Sequence, residues 1–274
     1  MTDNVLVPAD VAAYYEANVE ADRLAAGTGA LEFERTKEIV SRFLPAQAMV
    51  VDVGGGTGRY AEWLAETGRR VELVEPVPLH VKLARERAAD PPRFGVQLGE
   101  ARALPFPEGS CDGVLLLGPL YHLGEERDRV DVLREAARIC RAGGVVFAAA
   151  ISRLAPLLDM VGRGSIGSAE IFANVQAETV TGRRVGADRR RSPFPDAYFH
   201  LPGELEAELR AAGLRVEGVF GVEGPGWLLP GLAAEWGQEE VRERVLAAAR
   251  AFESEPHLIG VSAHLLGVAT KPRG

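Results

Sequence analysis

Cysteine is scarce in this chain: Cys111 and Cys140 are the only two among 274 residues. They stand far apart, with no CxxC spacing and no disulfide framework, so a reduced, cytoplasmic interior is expected. Long apolar runs are missing as well. A run such as GVVFAAAI (144–151) is strand-length, well short of the roughly 20 residues a spanning helix needs. The opening residues, MTDNVLVPADVAAYYE, are mixed and acidic and do not read as a signal peptide. Positive charge is in deficit, with 31 Lys and Arg against 39 Asp and Glu and a net charge of −8. That balance argues against nucleic-acid or anionic-membrane partners. His80, His257 and His264 show no metal-like spacing with a cysteine or acid, and no metal site is expected.

What is present is a globular composition, 47% hydrophobic over a length that suits one large α/β domain or one domain with an insertion. Helical patterns over 9–26 and 30–43 are separated by Gly27 and Gly29, and Pro45 ends the second. Strand and helix then alternate. Strands are predicted at 49–53, 70–75, 94–98, 113–117 and 145–151, with helices at 59–67, 79–89 and 127–140. This rhythm predicts a parallel sheet covered on both faces. It fails after Ser152, where two short helices and the polar TGRRVGADRRRSPFPDA intervene. It returns with a helix at 202–212, a strand at 214–222, a helix at 238–254 and a last strand at 260–270. The irregular segments are expected to act as lids over the carboxyl edge of the sheet, where ligands bind in open α/β folds. The predicted organisation is a helical cover over 1–45 and a main domain over 46–274, with a substrate insertion at 152–200.

The chemistry concentrates in VVDVGGGTGRYAEWLA (50–65), a strand running through a glycine cluster into a helix. No Lys follows the glycines, which excludes a P-loop. Gly56-x-Gly58-x-x-Ala61 formally matches a dinucleotide fingerprint, with Glu75 at the expected distance. Asp52 speaks against it, because a carboxylate there repels a pyrophosphate and suits a cation. Further segments also fall where strands should end: VELVEP (71–76), LGEARALPFPEGSCDGVLLLGPLYHL (98–123) and LREAARICRAGGVVFAA (133–149).

In this order these motifs resemble those of the class I S-adenosylmethionine-dependent methyltransferases, and HLLGVATKP (264–272) resembles that family's antiparallel seventh strand. The resemblance implies an open, mostly parallel seven-stranded Rossmann-like sheet with an N-terminal helical cover and an inserted lid after the fifth strand. It implies S-adenosylmethionine as the methyl donor, S-adenosylhomocysteine as product and no metal. By resemblance Asp52, Gly54, Gly55 and Gly56 approach the methionyl part, and Glu75 with Pro76 the ribose. Glu100, where the family often has Asp, or the amide of Ala101, meets the adenine, and Leu117 and Gly118 follow the fourth strand. Tyr15 is placed at the methionyl pocket and Arg35 at its carboxylate.

On the acceptor side, Tyr121 and His122 stand where the family holds groups near the transferred methyl. His122 reads either as a base or as a group that shapes the site, since alignment alone drives many such transfers. His200 is a second base candidate, and Tyr14, Tyr198 and Trp227 are candidate substrate contacts, each with core packing as the alternative. Arg189, Arg190 and Arg191 read as a solvated loop or a clamp for an anionic group. The reading is methyl transfer to a small molecule by a monomer or homodimer, the acceptor atom being O, N, S or C. The alternatives are a same-fold protein using S-adenosylmethionine for other chemistry, an NAD-dependent oxidoreductase, and an RNA methyltransferase, which would need a basic face.

Overall fold

The computed structural model describes residues 9–16, 23–186 and 194–273. Three helical pieces come first: α1 (Ala9–Glu16), a 3-10 turn at Arg23–Ala25, and α2 (Gly27–Phe43). Gly27, read as a break, opens α2 with φ +57°. Gly29 lies inside the helix, where a Cβ would stand 1.9 Å from the Arg23 carbonyl oxygen. The glycine serves close packing rather than chain reversal.

The alternating unit follows as β1 (Met49–Val53), α3 (Arg59–Glu66), β2 (Arg70–Glu75), α4 (Pro78–Ala88), β3 (Gly95–Leu98), β4 (Cys111–Leu116), α5 (Glu126–Ile139) and β5 (Cys140–Ser152). Gly143 and Gly144 lie within β5, which begins directly after α5. The insertion contributes α6 (Ala155–Gly162), α7 (Ala169–Thr181), a two-residue β6 (Arg183–Arg184) and β7 (Ala197–His200). The chain then runs through α8 (Pro202–Ala211), β8 (Arg215–Gly221), α9 (Leu232–Glu235), α10 (Glu239–Phe252) and β9 (His264–Thr270).

Five strands pair in parallel in the order β3-β2-β1-β4-β5. β9 runs antiparallel between β5 and β8. This is the open sheet expected from the motifs. To the expected seven strands the insertion adds β7, parallel to the end of β5 at Ile151 and Ser152, and its antiparallel partner β6.

Alternation along the strands sorts two apolar layers. Val51, Val53, Val114 and Leu116 face α5 and α8, packing with Leu133, Ile139, Leu205 and Leu209. Val50, Leu73, Leu115 and Phe147 face the other way, onto Ile39, Ala61, Leu64 and Ala84 of α2, α3 and α4. Both faces of the sheet are therefore dry, and the parallel strand ends are left for function. No helix among the described residues is long and apolar enough to cross a membrane.

Candidate active site

The loops leaving β1, β2, β3 and β4 open into one cavity of about 640 Å³, a volume within the range that buries a small ligand. The β1 loop is shaped by its glycines. Gly54 and Gly56 have φ +66° and +57°, which other residues rarely adopt. Gly54 continues the sheet through its amide, 2.7 Å from the Val74 carbonyl, and a Cβ on it would stand 2.9 Å from Pro119. A Cβ on Gly55 would stand 2.6 Å from Asp52 Oδ2. The loop backbone thus lies flat over Asp52 and against the β4 loop.

Glu75 ends β2 and is buried at the cavity wall. Its Oε2 accepts the Gly56 amide at 2.9 Å and its Oε1 accepts the Val77 amide at 3.0 Å. Each oxygen keeps a further lone pair. Asp52 is fully buried beside it, and neither of its oxygens has a hydrogen-bond partner. Burial, and then the charge of Glu75, push its pKa up to about 7.

That position carries a prediction. An acid with a raised pKa penalises the folded state as it ionises, so the penalty grows from the ordinary value of 3.8 and is complete above about 7. Asp52→Asn is expected to raise the melting temperature of the ligand-free protein more at pH 8 than at pH 5. An equal shift at both pH values would show that Asp52 is not the titrating group.

Of the sequence-derived cofactor residues, Tyr15, Asp52, Gly54, Gly55, Gly56 and Glu75 all line this cavity. So do Pro76, Glu100, Ala101, Leu117 and Gly118. Glu100 is already engaged, its Oε2 accepting Arg102 Nη2 at 2.6 Å. Arg35 is not there. Its guanidinium is fully buried, donating from Nε to the Val222 carbonyl at 3.2 Å and pairing with Glu38 and Glu253. A buried cation is held by the acids that neutralise it, and here those belong to α2 itself and to the residue that follows α10.

On the acceptor side, Tyr121 and His122 line the cavity from the 3-10 turn after β4, and the Tyr15 hydroxyl lies 2.7 Å from His122 Nε2. Tyr14 stands one layer back, its ring edge-on to Tyr15 and Phe194. The remaining candidates lie elsewhere. His200 is buried with Nε2 3.1 Å from Glu208, which also binds Arg129. Tyr198 packs 3.6 Å under the Arg129 guanidinium and bonds Arg153. These two join the insertion to α5 and α8 and do not line the cavity. Trp227 donates its indole N–H to the Val261 carbonyl at 2.9 Å, anchoring its own turn. Arg189, Arg190 and Arg191 fall outside the described residues.

Two groups were missed from sequence. His80, in the first turn of α4, is buried in the cavity wall with Nε2 unpartnered. Its place five residues after Glu75, at a helix start on the same sheet edge, was the available signal. Arg23 also lines the cavity and binds Glu32 through both carboxylate oxygens.

Glu32 in turn belongs to a cluster with Glu223 and His264, whose donor atoms lie within 4.8 Å of one another although the residues are distant in sequence. Arg23 and the Ser262 hydroxyl already occupy those carboxylates. Burial opposes the His264 charge, but Glu32 and Glu223 outweigh it and raise the pKa to about 9. A raised histidine stabilises the fold fully below its ordinary 6.5 and loses that contribution as pH rises through about 9. His264→Gln is therefore expected to flatten the fall in melting temperature between about pH 7 and 9. A wild-type profile already flat across that window would contradict the ion pair.

Residues 51–148 match the family described as "Methyltransferase domain". The chain carries an S-adenosylmethionine-dependent methyltransferase domain of class I. Over 199 residues it is 28% identical to a ubiquinone biosynthesis O-methyltransferase of Xanthomonas axonopodis pv. citri, covering 70% of this chain and 73% of that protein. It is 32% identical over 136 residues to the methyltransferase GfsG of Streptomyces halstedii, covering 48% of this chain and 45% of the relative. The chain thus spans less than half the length of that second protein. In structure it resembles the Burkholderia thailandensis 1,6-didemethyltoxoflavin-N1-methyltransferase, which was solved with 1,6-didemethyltoxoflavin and S-adenosylhomocysteine. The TM-score is 0.58 at 17% identity, covering 96% of this chain and 85% of that one. The dinucleotide reading of the glycine loop is set aside by the family of this methyltransferase domain.

Proposed function

We propose that this enzyme transfers a methyl group from S-adenosylmethionine to a small-molecule acceptor held in the cavity beside His122. The observation that carries the reading is the convergence of Glu75, the glycine loop and His122 on one cavity at the ends of β1, β2 and β4. The residues fit the donor. A buried carboxylate without partners, Asp52, favours a cationic group nearby. Glu75 offers two carboxylate oxygens to the ribose hydroxyls, and the glycine loop lines the same cavity beside it. Glu100 and Ala101 line the same cavity, where adenine would lie.

When bound, S-adenosylmethionine supplies an electrophilic methyl group. The chain's own residues align the acceptor, exclude water and, at His122 Nε2, accept the acceptor's proton. Alignment in a largely apolar cavity favours the transfer because charge is lost as the methyl moves. Two relatives point to small acceptors: one is named an O-methyltransferase of ubiquinone biosynthesis, and the other was solved with 1,6-didemethyltoxoflavin. We further infer a cytoplasmic enzyme, supported by two buried cysteines that form no disulfide.

Calorimetry with S-adenosylhomocysteine and S-adenosylmethionine tests the donor. Mass spectrometry of a small-molecule panel incubated with the enzyme and S-adenosylmethionine tests the transfer. Failure of both nucleosides to bind would overturn the reading.

A further inference from the structure

We propose that the acceptor is a phenol, or another flat ring bearing an acidic hydroxyl, and that Tyr15 holds its place in the ligand-free enzyme. The inference rests on reading the cavity as a methyl-transfer site and names the acceptor that the site takes.

The structure already seats a phenol there. The Tyr15 hydroxyl lies 2.7 Å from His122 Nε2. Its ring meets His122 edge-on, with centroids 5.4 Å apart at 86°. On its other side it meets His80 edge-on, at 5.3 Å and 71°. Tyr15 therefore spans from the wall that holds Glu75 to the wall that holds the candidate base. More flat surface surrounds it. Tyr121 lies 4.7 Å from the His122 ring, and Phe194 stacks on His122 at 5.8 Å and 29°. Such a set of faces and edges selects planar aromatic ligands by shape and quadrupole.

The charges nearby favour a neutral hydroxyl over an ammonium. Glu125 and Asp128 are the lining acids that follow His122 in the chain. Glu125 is bound by Arg183, and Asp128 lies in the field of Arg102. Each already faces an arginine, while the hydroxyl of Tyr15 has the imidazole.

Tyr15 is also built to give way. It stands on α1, an eight-residue helix, and helices that short are marginal on their own. Exchange of one phenol for another preserves the contact with Nε2 and the edge-on packing.

In the reaction the acceptor's O–H proton passes to His122 Nε2. The oxygen's electron pair forms the new bond to the methyl carbon. The carbon–sulfur bond breaks with its pair left on sulfur. The products are an aryl methyl ether, S-adenosylhomocysteine and a protonated His122 that returns its proton to solvent, so atoms and charge balance.

The test uses p-cresol, the side chain of tyrosine without its backbone. Tyr15→Ala vacates a half-buried, ring-sized space flanked by His80 and His122, and ring-sized gaps between aromatic faces bind aromatic molecules. The Kd for p-cresol is expected to fall by about tenfold relative to wild type, because ring burial and a hydroxyl contact are both recovered. The gain should vanish in Tyr15→Ala/His122→Phe, and toluene should not show it. Tyr15→Ser, measured in parallel, gives a second truncation should the alanine variant be poorly folded. Equal p-cresol affinity in wild type and in both truncations would overturn the proposal, as would a gain that survives the loss of His122. S-adenosylhomocysteine calorimetry on the same proteins separates the two readings. Binding of the nucleoside without any phenol gain removes only the acceptor class. A phenol gain in the truncations, with a wild type that binds no nucleoside, removes the methyl-transfer reading instead.

Discussion

Glu75→Ala is expected to raise the Kd for S-adenosylhomocysteine by more than about tenfold, since a hydrogen bond to a charged acceptor contributes on the order of 1.5–3 kcal/mol. The carboxylate ends β2 inside the cavity wall, and its position is enforced from two sides by the amides of Gly56 and Val77. A side chain held that way loses little freedom when a ligand arrives, so the ribose hydroxyls meet a preformed acceptor. The same two amides complicate the alanine variant, because removing the carboxylate also leaves them unpaired. Glu75→Gln is the control. It keeps shape and one acceptor oxygen but turns an NH2 group toward one of the amides. It is expected to lower the melting temperature of the free protein and still bind more weakly than wild type. Unchanged affinity in both variants, read by calorimetry, would remove Glu75 from the ribose site.

His122→Ala should lower kcat by two to four orders of magnitude, roughly the range for losing a positioned general base, while leaving the Kd for S-adenosylhomocysteine within about twofold. His122 lines the cavity from the 3-10 turn after β4, and no hydrogen bond or ion pair joins it to Glu75. Tyr121 beside it is nearly buried. The split between turnover and donor affinity is the informative readout, because a purely structural role would move both. Radiolabelled methyl transfer to an identified acceptor supplies kcat. Turnover equal to wild type would show that alignment of the acceptor alone drives the transfer, as the sulfonium's own reactivity permits.

The parts of the site that were legible in sequence share a local origin. Asp52, Glu75, Glu100 and His122 stand at or just beyond the ends of four parallel strands, and a residue so placed reaches the carboxyl edge whatever surrounds it. The glycines carry the same kind of information, since φ +66° at Gly54 is a property of one residue and its turn. Residues on helices and in the insertion were not legible in this way. Arg35 is on α2 as expected, yet its guanidinium turns toward Glu253 and not toward the cavity. His200 and Tyr198 follow the irregular segment as expected, yet Glu208 and Arg129 draw them into the core. Their surroundings come from segments far away in the chain.

The sequence by itself determined the alternating sheet, the glycine loop with its two flanking acids, and the turn that carries His122. Strand pattern and turn chemistry act over a few residues, so they can be read in order. The tertiary structure alone decided that Tyr15 reaches His122 between two imidazoles, that His80 enters the same wall, and that Arg35, His200 and Trp227 do not. Each of those outcomes depends on which distant charge or ring lies opposite, and only packing of the whole chain brings such partners within reach.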